Sequence, residues 1–474
     1  MARLRDANRF RVAFSPGCMD WLTNSMSPST SMSLGLALFF AGLVNSAFST
    51  EFEVGPGKKL TSLGDVPWGG LTPGDVVSIA WRVEPYREKF VLCVRGTAEH
   101  PIVVRGVPGP NGELPVVDGR DATTPATLDY WGGERSVIKV GGATKPGDVM
   151  PAHLVIENLE VQGARPPYTF TGRKGVQKYL PGAAAISVEK VEHLVIRGCV
   201  LHDSGNGLFV SHSSRDLLID GCRIYDNGIE KDIYEHNSYT EALGIVFQNN
   251  HYGPLRAGCP GNNLKDRSAG LVVRDNWIEG GNRALDLVDA ADAPEICASP
   301  AYRDTYVYGN VLIKLDDAIN GQVIHYGGDS GKTGWYRKGT LHFFHNTVVS
   351  RRGANTTLFG LSTDDESVDA RNNIFWDKPG GAKLAICDGP GHVALAANWI
   401  SRGWVGSRGF RKGDITGVET VLTGDAPGFA AEAHDDFQLV PESPCVGAAA
   451  VLPPELSISQ GVKKSNDLGA SLGH

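Results

Sequence analysis

The chain repeats one short pattern of hydrophobic and polar positions. Two or three apolar or β-branched residues precede a polar residue, then comes a Gly, Asp, Asn or His beside an Asn or Cys, and apolar residues follow again. The copies, 23 to 41 residues apart, centre on Asn158, Cys199, Cys222, Asn250, Asn276, Asn310, Asn346, Asn373 and Asn398. Such alternation is typical of short strands that bury one face.

A repeat of this length predicts a parallel β-helix in which each repeat forms one coil. One coil cannot bury its apolar face alone, so many coils must stack, with their strands about 4.8 Å apart. The longer spacings indicate coils that carry loop insertions. Asn tolerates the left-handed backbone of a sharp turn, and stacked Asn side chains can hydrogen-bond to one another. We therefore expect an all-β, single-domain solenoid with a structural asparagine ladder.

The first 49 residues predict export. Leu34–Val44 is an uncharged run of eleven residues, which is too short to span a bilayer but suits the core of a signal peptide. Ala47 and Ser49 are small residues at the −3 and −1 positions for cleavage after residue 49. The predicted parts are a signal peptide or presequence over 1–49, a β-helix over 50–450 and a C-terminal closing segment over 451–474. The protein would then be secreted or periplasmic, without a membrane span.

The cysteines restrict the chemistry further. Seven remain after residue 49, namely Cys93, Cys199, Cys222, Cys259, Cys297, Cys387 and Cys445. Cys199 and Cys222 occupy equivalent ladder positions one coil apart, which predicts either a stacked thiol pair or a disulfide. The chain has no CxxC or HxxxH spacing, so we do not expect a structural zinc site.

The charge of the whole chain and of one segment differ in sign. The formal net charge is −8, which disfavours a nucleic-acid-binding protein because such a protein needs a basic footprint. The segment from Arg256 to Arg283 carries five basic and three acidic residues. This local excess of positive charge favours an anionic ligand.

Candidate chemistry is concentrated between residues 232 and 290. Tyr239 and Lys265 each lie eleven residues before the next ladder asparagine, while Glu241 and Arg267 each lie nine before it. If the two coils are in register, these four side chains form one patch, because residues two apart share a strand face. His236 would flank the patch. A simple cross-coil ion pair between Glu241 and Arg267 is the plainer alternative.

This patch suits cleavage of an acidic polysaccharide by β-elimination. The reaction needs a neutralised uronate carboxylate, a base for the C5 proton and an acid for the leaving O4. We expect Arg267 to lower the pKa of Lys265, which would make Lys265 the base. Tyr239 would protonate the leaving oxygen, Arg267 would hold the carboxylate, and His236 is an alternative base.

Segments at both ends of the chain carry a family resemblance. VGPGKKLTSL, LTPGDVVSI and PVVDG near the start, and DDFQLVPESPCVGAA and DLGA near the end, resemble secreted right-handed parallel β-helix proteins of the pectate-lyase-like superfamily. The resemblance covers residues 53 to 470 and implies that fold. It leaves the activity open, because the superfamily includes lyases, hydrolases, epimerases and non-catalytic adhesins.

The lysine-containing coil is similar to the chondroitinase B and alginate lyase family, which uses a lysine, an arginine and a calcium ion. The resemblance implies the lysine role for Lys265. The family arginine is expected one coil later, where only Arg283 is near, and Gly258 and Pro260 stand where the family has acidic calcium ligands. Calcium is therefore left as a possible cofactor. The residues that we assign to substrate binding are Glu241, Arg283, Asp286 and Asp289.

Two other function classes remain open. One is hydrolysis of the polygalacturonase type, which uses clustered aspartates; candidates are Asp286, Asp289, Asp316 and Asp317, and the segments KLDDAIN and VIHYGG are similar to Asp-Asp and His segments of those enzymes. The other is a non-catalytic carbohydrate-binding or surface protein, in which Trp335, Tyr336 and Trp404 would stack on sugars. We expect a monomer that acts on an acidic polysaccharide, most simply as a lyase.

Overall fold

In a computed structural model, the chain winds into a right-handed parallel β-helix, as predicted. The structure describes residues 49–409, 413–458 and 465–470. All of them belong to one compact unit. Apart from Ser49, the predicted signal peptide lies outside the described residues, so export stays a prediction.

The coils contribute strands to three faces, and within each face the strands pair in parallel with their counterparts one coil away. The first face contains Phe90–Leu92, Ser136–Val140, residues 184–188 of Ala184–Arg197, residues 206–210 of Asn206–Asp220, Ser238–Thr240, Leu264–Asp266, Leu285–Leu287, Gln322–Tyr326, Thr356–Leu361 and Leu384–Asp388.

The second face follows the first in each of the central coils, after a bend or a loop. It contains Glu51–Val54, Val76–Ala80, Ile102–Val107, Ala152–Glu157, the remainder of Ala184–Arg197 and of Asn206–Asp220, Leu243–Gln248, Ala269–Arg274, Asp304–Tyr308, Thr340–Phe344, Ser367–Arg371, His392–Ala396 and Asp414–Thr416.

The third face closes each coil with shorter strands. It contains Val116–Asp118, Glu160–Gln162, Val200–Leu201, Arg223–Ile224, His251–Tyr252, Trp277–Glu279, Val311–Lys314, Thr347–Ser350, Ile374–Asp377, Trp399–Ser401 and Leu422–Gly424. Strands outside the three faces are Ala122–Thr123, Asp129–Tyr130, Ala143–Lys145, Thr169–Gly172, Gly175–Lys178, Phe429–Ala431 and Asp436–Leu439.

Helices are short and lie in the loops. The α-helices are Pro294–Ala298 and Pro454–Ile458, and the 3₁₀ turns are Leu63–Asp65, Gly133–Arg135, Pro300–Arg303, Thr333–Trp335, Gly381–Lys383, Val418–Thr420 and Glu432–His434. Within the described ranges, no helix has the length and apolar character needed to cross a membrane.

The alternating pattern builds the core of each coil. In Ala269–Arg274, Leu271 and Val273 are completely buried and join the central apolar cluster, whereas Val272 and Arg274 are only half-buried. The same alternation recurs in Leu243–Gln248, its parallel partner one coil earlier. Stacking therefore extends one apolar core along the helix axis.

The asparagine ladder is present from Asn250 to Asn398. The Asn276 amide, for example, donates from Nδ2 to Oδ1 of Asn310 at 2.9 Å, and Asn310 repeats the contact to Asn346 at 2.9 Å. Each side chain also receives the backbone N–H of the preceding ladder residue. The ladder thus supplies both donors and acceptors to backbone groups that the turns leave without strand partners.

The left-handed residue of each turn is the one before the ladder position, which corrects the prediction. Asp275 and His345 have φ values of 55° and 50°, and they precede Asn276 and Asn346. Asn158, which has a φ of 56°, is itself such a turn residue, so the interior ladder position of its coil is Leu159.

The cysteines and the C-terminal segment complete the fold. Cys199 and Cys222 are buried free thiols, so the stacked-pair alternative holds rather than the disulfide. Phe437, Cys445 and Leu468 pack in one apolar cluster with outward residues of the third face, namely Val311, Ile313, Val349, Ile374, Trp376 and Trp399. The predicted closing segment thus contributes Leu468 to a cover over the side of the β-helix.

Candidate functional site

A row of stacked side chains crosses the middle of the first face. Tyr239 lies directly opposite Lys265, as the spacing predicted, and Lys265 lies opposite Asp286. Asp286 in turn lies opposite His325, and His325 lies opposite Gly360. Five successive coils therefore place different chemical groups at the same strand position, about 4.8 Å apart.

Lys265 is held between two carboxylates. Its ammonium Nζ lies 2.9 Å from Oδ2 of Asp286 and 2.5 Å from Oδ2 of Asp329. Both contacts occupy the ammonium group, so Lys265 is not a free side chain, and its role as the base stays a prediction. The prediction considered only the like-charged neighbour Arg267, because Asp329 follows Lys265 by 64 residues.

Arg267 joins the same group from the neighbouring strand position. Its Nε donates to the Tyr239 hydroxyl at 3.0 Å, and its Nη2 donates to Oδ1 of Asp329 at 3.0 Å. A third donor contacts the backbone carbonyl of Asp289. The predicted patch of Tyr239, Lys265 and Arg267 therefore exists, with Asp329 added as its bridging carboxylate.

Asp329 is fixed by its own loop. The completely buried Asp289 accepts the backbone N–H groups of Asp329 at 2.8 Å and of Ser330 at 3.2 Å, and it also accepts the Ser330 hydroxyl. Burial alone would raise the pKa of Asp329, but the charges of Lys265 and Arg267 lower it. Asp289, which we predicted as a substrate ligand, instead anchors this loop because no part of it is exposed.

Asp286 is the most heavily bonded carboxylate of the site. It accepts from Asn262 Nδ2 and His325 Nδ1, both at 2.8 Å, and contacts Arg283 Nη1 at 3.4 Å in addition to Lys265. Although burial raises its pKa, the hydrogen bond with His325 and the charge of Lys265 lower it well below the usual range. Asp286 is 2% exposed, so the predicted contact with substrate is replaced by a central organising role.

His236 does not have the geometry of a base. Its Nδ1 accepts the backbone N–H of Asn262 at 3.0 Å, which leaves the ring proton on Nε2. Burial first, and then the charge of Lys265, lowers the pKa of His236 to about 3. The ring is 2% exposed and stands edge-on to Tyr239. Neutral and hydrogen-bonded through its lone pair, it supports Tyr239 rather than accepting a proton.

Glu241 is a buried carboxyl whose pKa the charge of Arg267 influences. It is 8% exposed, and its Oε1 has no hydrogen-bond partner among the described residues. Burial, and next the charge of Asp292, raises its pKa to about 8. Burial thus favours the protonated carboxyl, and the alternative ion pair of Glu241 with Arg267 does not form within 4.0 Å in the described structure.

Carboxylates from outside residues 256–283 offset part of the positive charge that the sequence predicted for this segment. Lys265, Arg267 and Arg283 all contact carboxylates that lie outside that segment. Arg283 also donates from Nε to the amide oxygen of Gln322 at 3.0 Å. Each of these three cations therefore contacts a carboxylate, which reduces the positive charge available to an anionic ligand.

The carboxylates do not form a calcium site. In the part of the chain that the structure describes, no cluster of three or more His, Cys, Asp or Glu side chains is arranged to hold a metal ion. Asp286 and Asp329 already face Lys265, whose charge opposes a divalent cation between them. The residues present therefore do not fit the possible calcium ion.

The residues of the two alternative functions lie elsewhere. Asp316 and Asp317 are exposed, and Asp316 accepts the backbone N–H of Gly353. Trp404 packs against the core, Tyr336 is 8% exposed and Trp335 is half-buried. None of these aromatic side chains is a flat exposed platform. A cavity of about 1020 Å³ beside the C-terminal segment contains none of the predicted site residues.

Four residues of the site were missed in the sequence, namely Asn262, His325, Asp329 and Ser362. Three of them come from coils or loops distant in sequence from the lysine-containing coil. His325 lies in VIHYGG, the segment that the hydrolase alternative names, and Asp329 is the residue that directly follows this segment. The register between coils places His325 two coils from Lys265 on the same row, and the loop after His325 brings Asp329 to Lys265. The sequence shows this register only through the spacing of the ladder asparagines.

No family model matches this chain, and no curated protein matches it. The alginate lyase from Paenibacillus sp. str. FPU-7 is similar in structure, with a TM-score of 0.45 and 14% identity over 74% of this chain and 93% of that one. Pectate lyase Pel9A gives 0.47 and 11% over 89% and 96%. The GH136 lacto-N-biosidase from Eubacterium ramulus gives 0.48 and 12% over 79% and 67%. These similarities carry no argument about the reaction, which rests on the site itself.

Proposed function

We propose that this protein cleaves glycosidic bonds of a polysaccharide by hydrolysis. The observation that carries the proposal is a pair of carboxyl groups in unlike surroundings: Asp329 contacts the cations Lys265 and Arg267, whereas Glu241 is buried and its Oε1 has no hydrogen-bond partner among the described residues. Asp329 is ionised because Lys265 and Arg267 lower its pKa, whereas burial raises the pKa of Glu241 to about 8. Two carboxyl groups whose pKa values differ in this direction can serve as the base or nucleophile and as the acid that cleavage of a glycosidic bond needs.

The roles follow from exposure and contacts. The Asp329 side chain is 34% exposed, so its carboxylate is the group that would activate water or attack the sugar. Glu241 would protonate the leaving oxygen. Tyr239 and the paired cations Lys265 and Arg267 would orient the sugar and hold Asp329 in place. The row of stacked groups follows the helix axis, and a long polymer such as a polysaccharide suits a binding surface of that shape.

β-Elimination is the second candidate. Arg267 donates to the Tyr239 oxygen at 3.0 Å, which fixes the hydroxyl in a position from which it can exchange a proton with a sugar. An acidic polymer would have to displace Asp329 from Lys265 and Arg267, since its carboxylate needs the same donors. Hydrolysis needs no such displacement, and this difference favours it.

The test is to incubate the protein with a panel of neutral and acidic polysaccharides. New reducing ends without ultraviolet absorbance of a C4–C5 double bond are expected for hydrolysis. Reducing ends together with that absorbance would establish the lyase instead. Absence of both signals on every polymer of a broad panel would overturn the proposal in favour of a binding protein.

A further inference from the structure

A serine, a histidine and an aspartate are linked in series at the end of the row. His325 Nδ1 lies 2.8 Å from Oδ1 of Asp286, and His325 Nε2 lies 2.9 Å from the hydroxyl oxygen of Ser362. Asp286 is buried, His325 is mostly buried and Ser362 is half-buried. The buried carboxylate, the orienting imidazole and the accessible hydroxyl occur in the order that activates a serine.

The contacts define where the protons lie. The ionised carboxylate of Asp286 can only accept, so His325 Nδ1 carries the ring proton. Nε2 is then the ring nitrogen that can accept a proton, and it faces the Ser362 hydroxyl. His325 is therefore in the tautomer that can take the serine proton. The contacts of Asp286 with Lys265 and Asn262 use its other oxygen and keep Oδ1 aimed at the ring.

The surroundings of Ser362 hold its oxygen in place. The Gly328 N–H donates to it at 3.0 Å, and the Gly328 carbonyl lies at 3.0 Å as a second acceptor for its proton. Beside His325, Gly360 has no side chain, and a Cβ there would come within 2.4 Å of the Gln322 amide nitrogen. Gly360 thus leaves room in which the Gln322 amide and the Arg283 guanidinium border the row as hydrogen-bond donors.

We propose that Ser362, His325 and Asp286 form a second catalytic site, which hydrolyses ester groups on a carbohydrate. Ser362 Oγ attacks the ester carbonyl carbon while His325 Nε2 takes the hydroxyl proton. The carbon–oxygen bond to the sugar then breaks, and His325 returns the proton to the departing sugar hydroxyl. Water, deprotonated by His325, releases the acid from the serine and restores the site. This activity does not depend on glycosidic cleavage.

The location of the serine selects the substrate class. Ser362 directly follows the first-face strand Thr356–Leu361 and contacts His325 of the row, so the leaving group is a hydroxyl of a sugar bound along that row. Small acyl groups such as acetyl are expected, because the Asp329 loop and Tyr336 enclose the position next to Gly328.

The experiment uses the full-length protein with a fluorophosphonate probe, p-nitrophenyl acetate and an acetylated xylan. We expect the probe to attach to Ser362, as located by mass spectrometry of the peptides. We also expect release of acetate, reduced about 100-fold or more in both Ser362→Ala and His325→Gln. Ser407→Ala is the matched control, since the Ser407 hydroxyl contacts the Asp388 carboxylate directly rather than an imidazole, and it should retain full activity.

Two results would overturn the proposal. One is a wild-type protein that leaves Ser362 unlabelled by the probe. The other is acetate release that persists in a folded Ser362→Ala protein, whose circular dichroism and thermal unfolding match the wild type. Because labelling needs no polysaccharide, its outcome is independent of whether the protein cleaves glycosidic bonds.

Discussion

The interior ladder and the exterior row use the same coils for opposite purposes. In the ladder, one residue type recurs, and each amide bonds to the next amide and to backbone groups. In the row, the residue type changes at every coil from Tyr239 to Lys265, Asp286 and His325. The ladder contains no charge, whereas the row contains paired charges and, beside it, an unpartnered carboxyl oxygen on Glu241.

This difference separates stability from chemistry in a repeat protein. Repetition satisfies buried polar groups at low cost, because each coil solves the same hydrogen-bonding problem in the same way. Chemistry needs unlike groups in contact, so it appears where the repetition stops. A buried carboxyl with a raised pKa lowers stability and is retained only where another constraint holds it.

The largest expected effect concerns Asp329, the carboxylate that contacts Lys265 of the row. Asp329→Asn keeps the shape of the side chain but removes the charge that would attack the sugar or activate water. We expect the rate of glycosidic cleavage to fall by roughly 10²- to 10⁴-fold, while the protein stays folded with an unfolding temperature close to that of the wild type. Initial rates of reducing-end formation and thermal unfolding of the same preparation measure both quantities.

The matched control for this change is Asp317→Asn, an exposed aspartate in the same coil. It should retain wild-type cleavage. If Asp317→Asn lowers cleavage as strongly as Asp329→Asn, or if Asp329→Asn unfolds the protein, the result would contradict the catalytic role that we propose for Asp329.

The fold could be predicted because one sequence pattern repeats in every coil. The site could be predicted only in part. The spacings of the ladder asparagines predicted that Tyr239 lies opposite Lys265, and the structure has this pairing. They did not place Asp329, because it comes from a loop whose position depends on its bonds to Asp289. The sequence located Lys265 and His236, but it did not show the carboxylate contacts of Lys265 or the burial of His236, so their catalytic roles stay predictions.

The next effect tests the ladder. Asn310→Ala removes an amide that accepts the Asn276 N–H at 3.0 Å and donates to the Val273 carbonyl at 2.9 Å. Buried groups left without partners cost about 1–3 kcal/mol each, so we expect the free energy of unfolding to fall on the order of 3 kcal/mol. Denaturant unfolding followed by circular dichroism measures it. The exposed Asn355→Ala should change stability by less than about 0.5 kcal/mol; equal losses would contradict the structural role.

A smaller effect concerns the pH dependence of Glu241. Its folded pKa of about 8 lies above the ordinary value of 4.5, so the folded state holds this proton more tightly than the unfolded state. Its contribution to stability is therefore greatest below pH 4.5 and is lost as pH rises toward 8 and beyond. Cleavage should also decline above about pH 8, as the proposed acid loses its proton.

Glu241→Gln isolates this group. The variant should lose less stability than the wild type between pH 5 and pH 9, and this difference can be followed by thermal unfolding at each pH. Asp316→Asn, a change at an exposed carboxyl in a loop, should leave the wild-type pH profile intact. Identical profiles for Glu241→Gln and the wild type would show that Glu241 titrates normally and would remove it as the acid.

The smallest effect examines where the ladder changes its own chemistry. At Cys222 a thiol replaces the amide; its Sγ reaches the Ile196 and Asp220 carbonyls only at 3.6 Å, while the backbone N–H still donates to Asn250. Thiols are weak donors, so Cys222→Ala should cost about 1 kcal/mol, chiefly from lost packing. A loss as large as that of Asn310→Ala, measured by the same denaturant unfolding, would mean that packing rather than amide bonding dominates the ladder. The contrast with the row would then rest on charge alone.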